Sequence, residues 1–397
     1  MYNKQIYNIL HHAKENVPFY AQMKEIDETN LNTFPIVNRD MILRNPHAFI
    51  SSEYTKFDIK QMLCFRTSGT STGHPLEIYW KQEDYIRSSC YIWKLRNKWY
   101  DISICDKYVC FHTYLYSGNK ALKNEDFCLT SKNNISLNAS NLTEEIIGEY
   151  CALIETYKPI WIQFIPSVGI KFVDYMRKHN IKAFSSVRYI EYNGETLMES
   201  TRKYIDDFFG VKSANLYGSM EVNAIAYECP HHNMVIIDNN VWLEDHCGTV
   251  LVTSLQNTVF PLIRYDLGDQ IEMQPAQCQC GGQTMISKIY GRTTSSIQIG
   301  DTILTEALAA YCIDMINGRL CNIIQQYQFF LLDGCWNLRV YVLPKFKGWY
   351  NEIKRVIIDN MQNNGILLDG NRIEIVYEPI FSTGKKFSIF NFEATTR

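Results

Sequence analysis

The stretch Arg66-Thr67-Ser68-Gly69-Thr70-Ser71-Thr72-Gly73-His74-Pro75 gathers hydroxyls and two glycines into one short run without an acid. Successive backbone N–H groups in such a loop can form a concave nest, and the Ser and Thr hydroxyls add donors. That chemistry suits a polyanion, and a nucleotide triphosphate is the usual one. The glycines stand at G-x-x-x-G and no lysine follows them, so the run is not a Walker loop. A second group combines Cys229, His231 and His232 with Cys278 and Cys280. Thiolate and imidazole at four positions suit tetrahedral zinc. Spacing does not choose between the two histidines; His232 is the expected ligand beside Cys229, Cys278 and Cys280. Two carboxylates complete the inventory: Glu221 in Tyr217-Gly218-Ser219-Met220-Glu221, and Asp269 after Leu267-Gly268. A carboxylate is a hard oxygen ligand for Mg2+ and can accept from two hydroxyls at once.

These stretches, in this order, resemble the signatures of the adenylate-forming superfamily of acyl-CoA synthetases, adenylation domains and luciferases. The most similar branch is the phenylacetate–CoA ligase family with its capsule-biosynthesis-like members. Ala13-Lys14-Glu15-Asn16-Val17-Pro18-Phe19-Tyr20 resembles that branch's opening. The resemblance implies that Thr67, Ser68, Gly69, Thr70, Ser71, Thr72 and Gly73 hold the phosphates of ATP, with Thr70 among the catalytic groups. It implies Asn193, Gly194, Glu195, Tyr217, Gly218 and Ser219 around adenine, Asp269 on the ribose and Glu221 on Mg2+. Arg292, in Tyr290-Gly291-Arg292, would contact phosphate or ribose. Lys385, in Ser382-Thr383-Gly384-Lys385-Lys386, matches the lysine that reaches the acyl–phosphate junction, with Lys386 the alternative register. His112, Tyr114, Tyr116 and Met220 fall where the acyl pocket is expected.

The implied reaction joins a carboxylic acid, by preference aromatic, to AMP and then to CoA. A carrier-protein thiol or an amine is the alternative acceptor, and a nucleotide-binding homologue without turnover is the rival. The branch also has a cysteine and histidine followed by Cys-x-Cys-Gly, which favours a structural zinc. Two positions depart from the family pattern. Thr293-Thr294-Ser295 follows Gly291-Arg292 where a small residue and two aspartates are usual, and His74 stands where lysine is commoner.

The elements that must position these groups follow from periodicity. Ile6, Ile9, Leu10 and Ala13 recur at helical spacing until Pro18, and Asn38 and Thr143 are placed to cap helices. Strand-like runs flank the Ser/Thr/Gly loop at 61–65 and 76–80. A helix is expected over 84–100, a strand over 107–111, and a strand over 159–164 with Ser167 capping the helix after it. Alternation of strand and helix up to about residue 220 predicts an α/β fold with a largely parallel sheet. After Gly291 the pattern changes: two strands around Asp333-Gly334, a helix over 347–363 and a strand over 372–377. The expected organisation is a large N-terminal α/β domain, residues 1–290, and a small mobile α+β lid, residues 291–397.

Composition bounds the rest. A chain of 397 residues holds two domains comfortably. A net charge of −3 without a Lys/Arg run argues against nucleic-acid or membrane partners. No apolar stretch approaches the roughly 20 residues of a spanning helix, and the first residues carry no apolar leader. Thirteen cysteines, an odd number, fit a reducing cytosol better than a disulfide framework. The expectation is a cytoplasmic enzyme acting on small molecules, for which a homodimer is admissible.

Overall fold

A computed structural model describes residues 4–67, 76–112, 116–117, 120–121, 128–140, 142–246, 248–275, 278–280, 284–292, 296–320, 323–380 and 389–395. The chain folds as two compact units, each discontinuous in sequence.

The first unit comprises Met1–Ile104, Tyr116–Lys120 and Ala214–Ile289. Its opening helix, Lys4–Asn16, buries the expected Ile6, Ile9, Leu10 and Ala13. Pro18 ends that helix and starts the next turn, Pro18–Ala21, where a missing N–H does no harm. Asn38 caps Arg39–Arg44 by accepting from the Met41 N–H at 3.0 Å, as its residue type foretells. The strands Leu63–Arg66 and Glu77–Trp80, on either side of the Ser/Thr/Gly run in the sequence, pair antiparallel. A long helix, Gln82–Tyr100, packs on the strand Asn223–Glu228 and ends where Asp101 turns left-handed at φ 55°. Seven strands of the unit lie in the order 241–246, 249–254, 265–275, 284–292, 234–236, 223–228 and 212–219.

The second unit comprises Cys105–Leu115, Ala121–Ser213 and Tyr290–Arg397. Here the strands Tyr189–Tyr192, Trp161–Phe164, Tyr108–His112 and Asn134–Asn138 run parallel in that spatial order, with Cys128–Thr130 antiparallel at the end. This is the expected α/β arrangement. Helix Glu144–Tyr157 joins the strand Asn134–Asn138 to Trp161–Phe164, Pro166–Lys178 joins that to Tyr189–Tyr192, and Glu199–Phe209 follows; Val109, Phe111, Ile162, Phe164 and Ile190 face the core they share. Thr143 caps the first, accepting from the Ile146 N–H at 3.3 Å.

The C-terminal stretch has a core of its own, from Ile297 to Phe390. Strands Ile324–Leu332 and Cys335–Val342 form the expected hairpin, and both turn residues take positive φ, 50° at Asp333 and 75° at Gly334. A helix, Glu306–Arg319, and an outer strand, Phe390–Thr395, had no periodicity that singled them out. This stretch is joined to the rest of the unit by buried polar contacts. Ser200 Oγ donates to the Ile324 oxygen and Thr201 Oγ1 to the Gln325 oxygen, both at 2.8 Å. The Tyr204 and Tyr341 hydroxyls both donate to Asp174, the latter at 2.8 Å.

Burial raises the Asp174 pKa above the usual aspartate range, more than the two tyrosines lower it. A carboxyl whose folded value is raised stabilises fully only below its unfolded value, and loses that contribution as pH rises through the folded one. Relative to Asp174→Asn, the wild type should therefore lose stability as pH rises from about 4. Thermal midpoints of both proteins from pH 4 to 7 measure this, and a constant difference would refute it.

Candidate functional site

In the first unit the loop of hydroxyls is held at its neck. Thr67, 8% exposed, donates its N–H to the Leu76 oxygen at 3.0 Å. Its Oγ1 accepts from the Leu76 N–H at 3.0 Å and from Arg39 Nη1 at 2.8 Å. Ser68, Gly69, Thr70, Ser71, Thr72, Gly73 and His74 lie outside the described residues.

Next to be fixed is the turn that follows Tyr217. A Cβ on Gly218 would sit 2.7 Å from the Asn223 carbonyl oxygen, so only glycine fits. Asn223 closes the turn at φ 67° and sends Nδ2 to Ser88 Oγ at 3.0 Å and Ser89 Oγ at 3.3 Å on the long helix. Ser88 Oγ passes on to Asn240 Oδ1 at 2.7 Å. The Tyr217 hydroxyl donates to Asp269 Oδ2 at 2.6 Å, so the two residues expected at adenine and ribose are partners. Met220 is 47% exposed, whereas Glu221 is 5% exposed. The Glu221 carboxylate has no hydrogen-bond partner among the described residues. A nearly buried carboxylate in that state fits an oxygen ligand to a divalent cation.

The sulfur and imidazole cluster is assembled by a turn at the end of the strand Asn223–Glu228. Cys229 donates its N–H to the Asn233 oxygen at 2.9 Å, and His232 donates its own to the Cys229 oxygen at 2.8 Å. Ligand atoms of Cys229, His231, Cys278 and Cys280 all lie within 4.8 Å of one another. His231 Nδ1 is 3.2 Å from Cys280 Sγ, and the Cys229 and Cys278 sulfurs are 3.7 Å apart. The histidine of the group is thus His231. The expected His232 instead sets Nδ1 at 3.0 Å from Glu228 Oε1, because a left-handed residue (φ 59°) carries its side chain out of the cluster. Glu228, buried, gives its other oxygen to the Asn215 N–H at 2.6 Å. The Cys280 N–H and neighbouring groups lower the Cys278 pKa to about 7, while burial pushes Cys280 up to about 12. Cys278 therefore gives up its proton first.

In the second unit the carboxyl ends of the parallel strands form the edge at which open α/β sheets bind ligands. Asn193 donates its N–H to the Phe164 oxygen at 3.1 Å, and Gly194 turns at φ 83°. Glu195 then accepts from the Ser167 N–H at 3.0 Å and from its hydroxyl at 2.9 Å. The cap of the helix Pro166–Lys178 is therefore Glu195, not Ser167. Proline at the first position has no N–H, so Ser167 carries the first one that needs an acceptor. His112 ends its strand on the same edge. Desolvation lowers its pKa below the ordinary histidine value. Tyr114 and Lys385 lie outside the described residues, as do the side chains of Tyr116 and Arg292.

The sequence reading missed Arg39, Glu228 and Cys110, which reach Thr67, Asn215 and Asn134 across stretches of chain that spacing does not connect.

No family profile matches the chain. A curated phenylacetate–coenzyme A ligase of Thermus thermophilus is 27% identical over 169 residues, 37% of this chain and 37% of that protein. The chain thus matches little more than a third of that relative's length. Protein CapK of Staphylococcus aureus is 22% identical over 329 residues, 75% of this chain and 68% of CapK. The fold matches 2-hydroxyisobutyryl-CoA ligase in complex with an acyl-AMP at a TM-score of 0.72 and 13% identity, over 98% of this chain and 88% of that one. The acyl acid amido synthetase GH3.15 matches at 0.59 and 12% identity, over 93% and 84%. The chain is thus similar in sequence to a phenylacetate–coenzyme A ligase and to CapK, and it shares its fold with a CoA ligase and an acyl acid amido synthetase.

The shift at Cys278 has a direct readout. In metal-stripped protein, alkylation of Cys278 by iodoacetamide should rise with a midpoint near pH 7, because the thiolate is the nucleophile. Peptide mass spectrometry over a pH series checks this; a midpoint at the ordinary thiol value, about 8.5, would contradict it.

Proposed function

We propose that this protein activates a carboxylic acid with ATP, forming acyl-AMP and pyrophosphate, and then transfers the acyl group to a thiol. CoA is the favoured acceptor and an aromatic acid the favoured substrate. The observation that carries the reading is the Tyr217–Asp269 hydrogen bond, which couples the adenine position to the ribose position of the superfamily signature. In this reading the Asp269 carboxylate, held by the Tyr217 hydroxyl, accepts from the ribose hydroxyls. The N–H groups and hydroxyls of the Ser/Thr/Gly run take the phosphates. Asn193, Gly194 and Glu195 line the base from a loop that the Ser167 contacts hold rigid.

Both reactants are anions, so the chain's task in the first half is to position them and offset their charge. A divalent cation held by Glu221 would add to that neutralisation. The segment from residue 291 acts as the lid, and Lys385 within it is the counter-charge at the acyl–phosphate junction. Zinc at Cys229, His231, Cys278 and Cys280 fills all four tetrahedral positions, which makes it a structural ion. Metal analysis of protein purified without added metal should give one zinc per chain, and Cys280→Ser should lower that value.

The reading is tested by incorporation of labelled pyrophosphate into ATP across a panel of carboxylic acids. No exchange with any acid would leave a nucleotide-binding homologue without turnover. Lys385 separates the two half-reactions. Lys385→Ala should slow adenylate formation by about 10²–10³, roughly 2.7–4 kcal/mol, and leave transfer from supplied acyl-AMP nearly unchanged. Lys386→Ala should do neither. A defect in Lys386→Ala alone would shift the register by one residue, and a defect in neither variant would remove this element from the mechanism.

A further inference from the structure

The sheet of the second unit carries a polar row where a parallel sheet is normally apolar. Parallel register sets Cys110 beside Ser136 on one side and Gln163 on the other. Gln163 Nε2 donates in turn to Glu191 Oε1 at 2.6 Å. Cys110 is 4% exposed, yet its sulfur is surrounded by polar groups. Asn134 Nδ2 donates to it at 3.1 Å, and His112 Nε2 and Ser136 Oγ each lie at 3.3 Å. The Ile135 carbonyl oxygen lies at 3.8 Å.

Counting protons orders this cluster. The Asn134 amide nitrogen can only donate. The Ser136 hydroxyl donates to Asn134 Oδ1 at 3.3 Å, so toward the sulfur it acts as an acceptor. The 3.3 Å contact with Ser136 Oγ is then made by the thiol proton. What remains for His112 is a sulfur lone pair, which calls for the proton on Nε2. That leaves Nδ1 bare, and it has no hydrogen-bond partner among the described residues. Desolvation of the ring keeps it neutral near pH 7, so Nδ1 acts as an acceptor.

We propose that Cys110, seated by Asn134 and Ser136, is a positioning residue that holds His112 as its Nε2–H tautomer, and that the bare Nδ1 selects acids carrying a hydroxyl or amino donor. The proposal rests on the reading above, in which His112 borders the acyl group at the carboxyl edge of the sheet. A substrate donor pairs with Nδ1, whereas a plain hydrocarbon acid covers that nitrogen and leaves it unpaired. Sites built around a hydrogen bond discriminate strongly against analogues that lack the group.

The test is pyrophosphate exchange with matched acids: benzoate against its three monohydroxy isomers and 2-aminobenzoate, and phenylacetate against 4-hydroxyphenylacetate. In the wild type, at least one donor-bearing acid should exceed its parent about tenfold in kcat/KM. Cys110→Ser, whose oxygen still accepts from Nε2–H, should keep that ratio. Cys110→Val and His112→Leu should bring it near one. Nitrogen NMR of wild type labelled at histidine should show Nδ1 of His112 unprotonated and Nε2 protonated, the signals being assigned by their loss in His112→Leu. Cys110→Val should give a mixture of tautomers, and the wild-type spectrum stands even where a variant fails to fold. A ratio near one for every pair, or a protonated Nδ1, overturns the proposal. Absence of exchange with every acid would defeat the adenylation reading separately. The nitrogen spectrum, with calorimetric binding of benzoate and 4-hydroxybenzoate, would then still decide this one.

Discussion

One antiparallel pair of strands, Lys212–Ser219 with Asn223–Glu228, carries most of the chemistry of the first unit, and polar side chains pin it at both ends. At one end Asn223 reaches the serines of the long helix. At the other, the buried Glu228 carboxylate takes the Asn215 N–H and faces His232. Between these pins the register slips by one residue at Tyr217/Gly218, a bulge that re-aims the chain as such irregularities do. Tyr217, Glu221 and the turn that carries Cys229 and His231 all hang from this pair. A buried carboxylate is tolerated because its oxygens are matched by donors, and Glu228→Ala would orphan the Asn215 N–H rather than merely delete a charge.

The second unit solves a different problem. Its parallel strands expose a carboxyl edge where loops and helix starts converge, and the device that orders this edge is electrostatic. Glu195 places its charge over the start of the helix Pro166–Lys178, where unpaired N–H groups and the helix dipole favour an anion. The same contact immobilises the loop Asn193-Gly194-Glu195. The C-terminal stretch joins this unit through hydroxyls, a carboxylate and backbone carbonyls, and also through Tyr341, Leu343 and Ile380, which are buried in the unit's apolar core.

Local signals in the sequence were legible because local physics made them. Asn38 and Thr143 cap their helices since their side chains compete for nearby N–H groups, and Asp333-Gly334 turns since both residues tolerate positive φ. The helix Glu306–Arg319 escaped notice because exposed Tyr311 and Met315 lie off its buried stripe of Ala309, Cys312, Ile313 and Ile316, which blurs the amphipathic pattern. Ser167 was expected to cap its own helix. The donor–acceptor logic was right, yet the acceptor came from 28 positions away. Arg39 on Thr67 is a second instance, again across 28 residues. No window of sequence contains both partners of such a contact.

The adjacent histidines show most clearly where spacing stops and conformation begins. His231 and His232 are chemically identical, and Cys-x-His against Cys-x-x-His separates them by a single residue. What distinguishes them is the turn: His232 sits in the left-handed region at φ 59°, a conformation that non-glycine residues rarely adopt. Its N–H closes the turn on the Cys229 oxygen, and its ring then leaves toward Glu228. His231, one residue earlier, is thereby directed at the sulfurs. The two histidines thus divide two tasks, one joining the cluster and the other tying the turn to the carboxylate that holds Asn215. Exchanging their roles would require the turn to invert, and with it the Cys229–Asn233 closure that brings the first sulfur into the group.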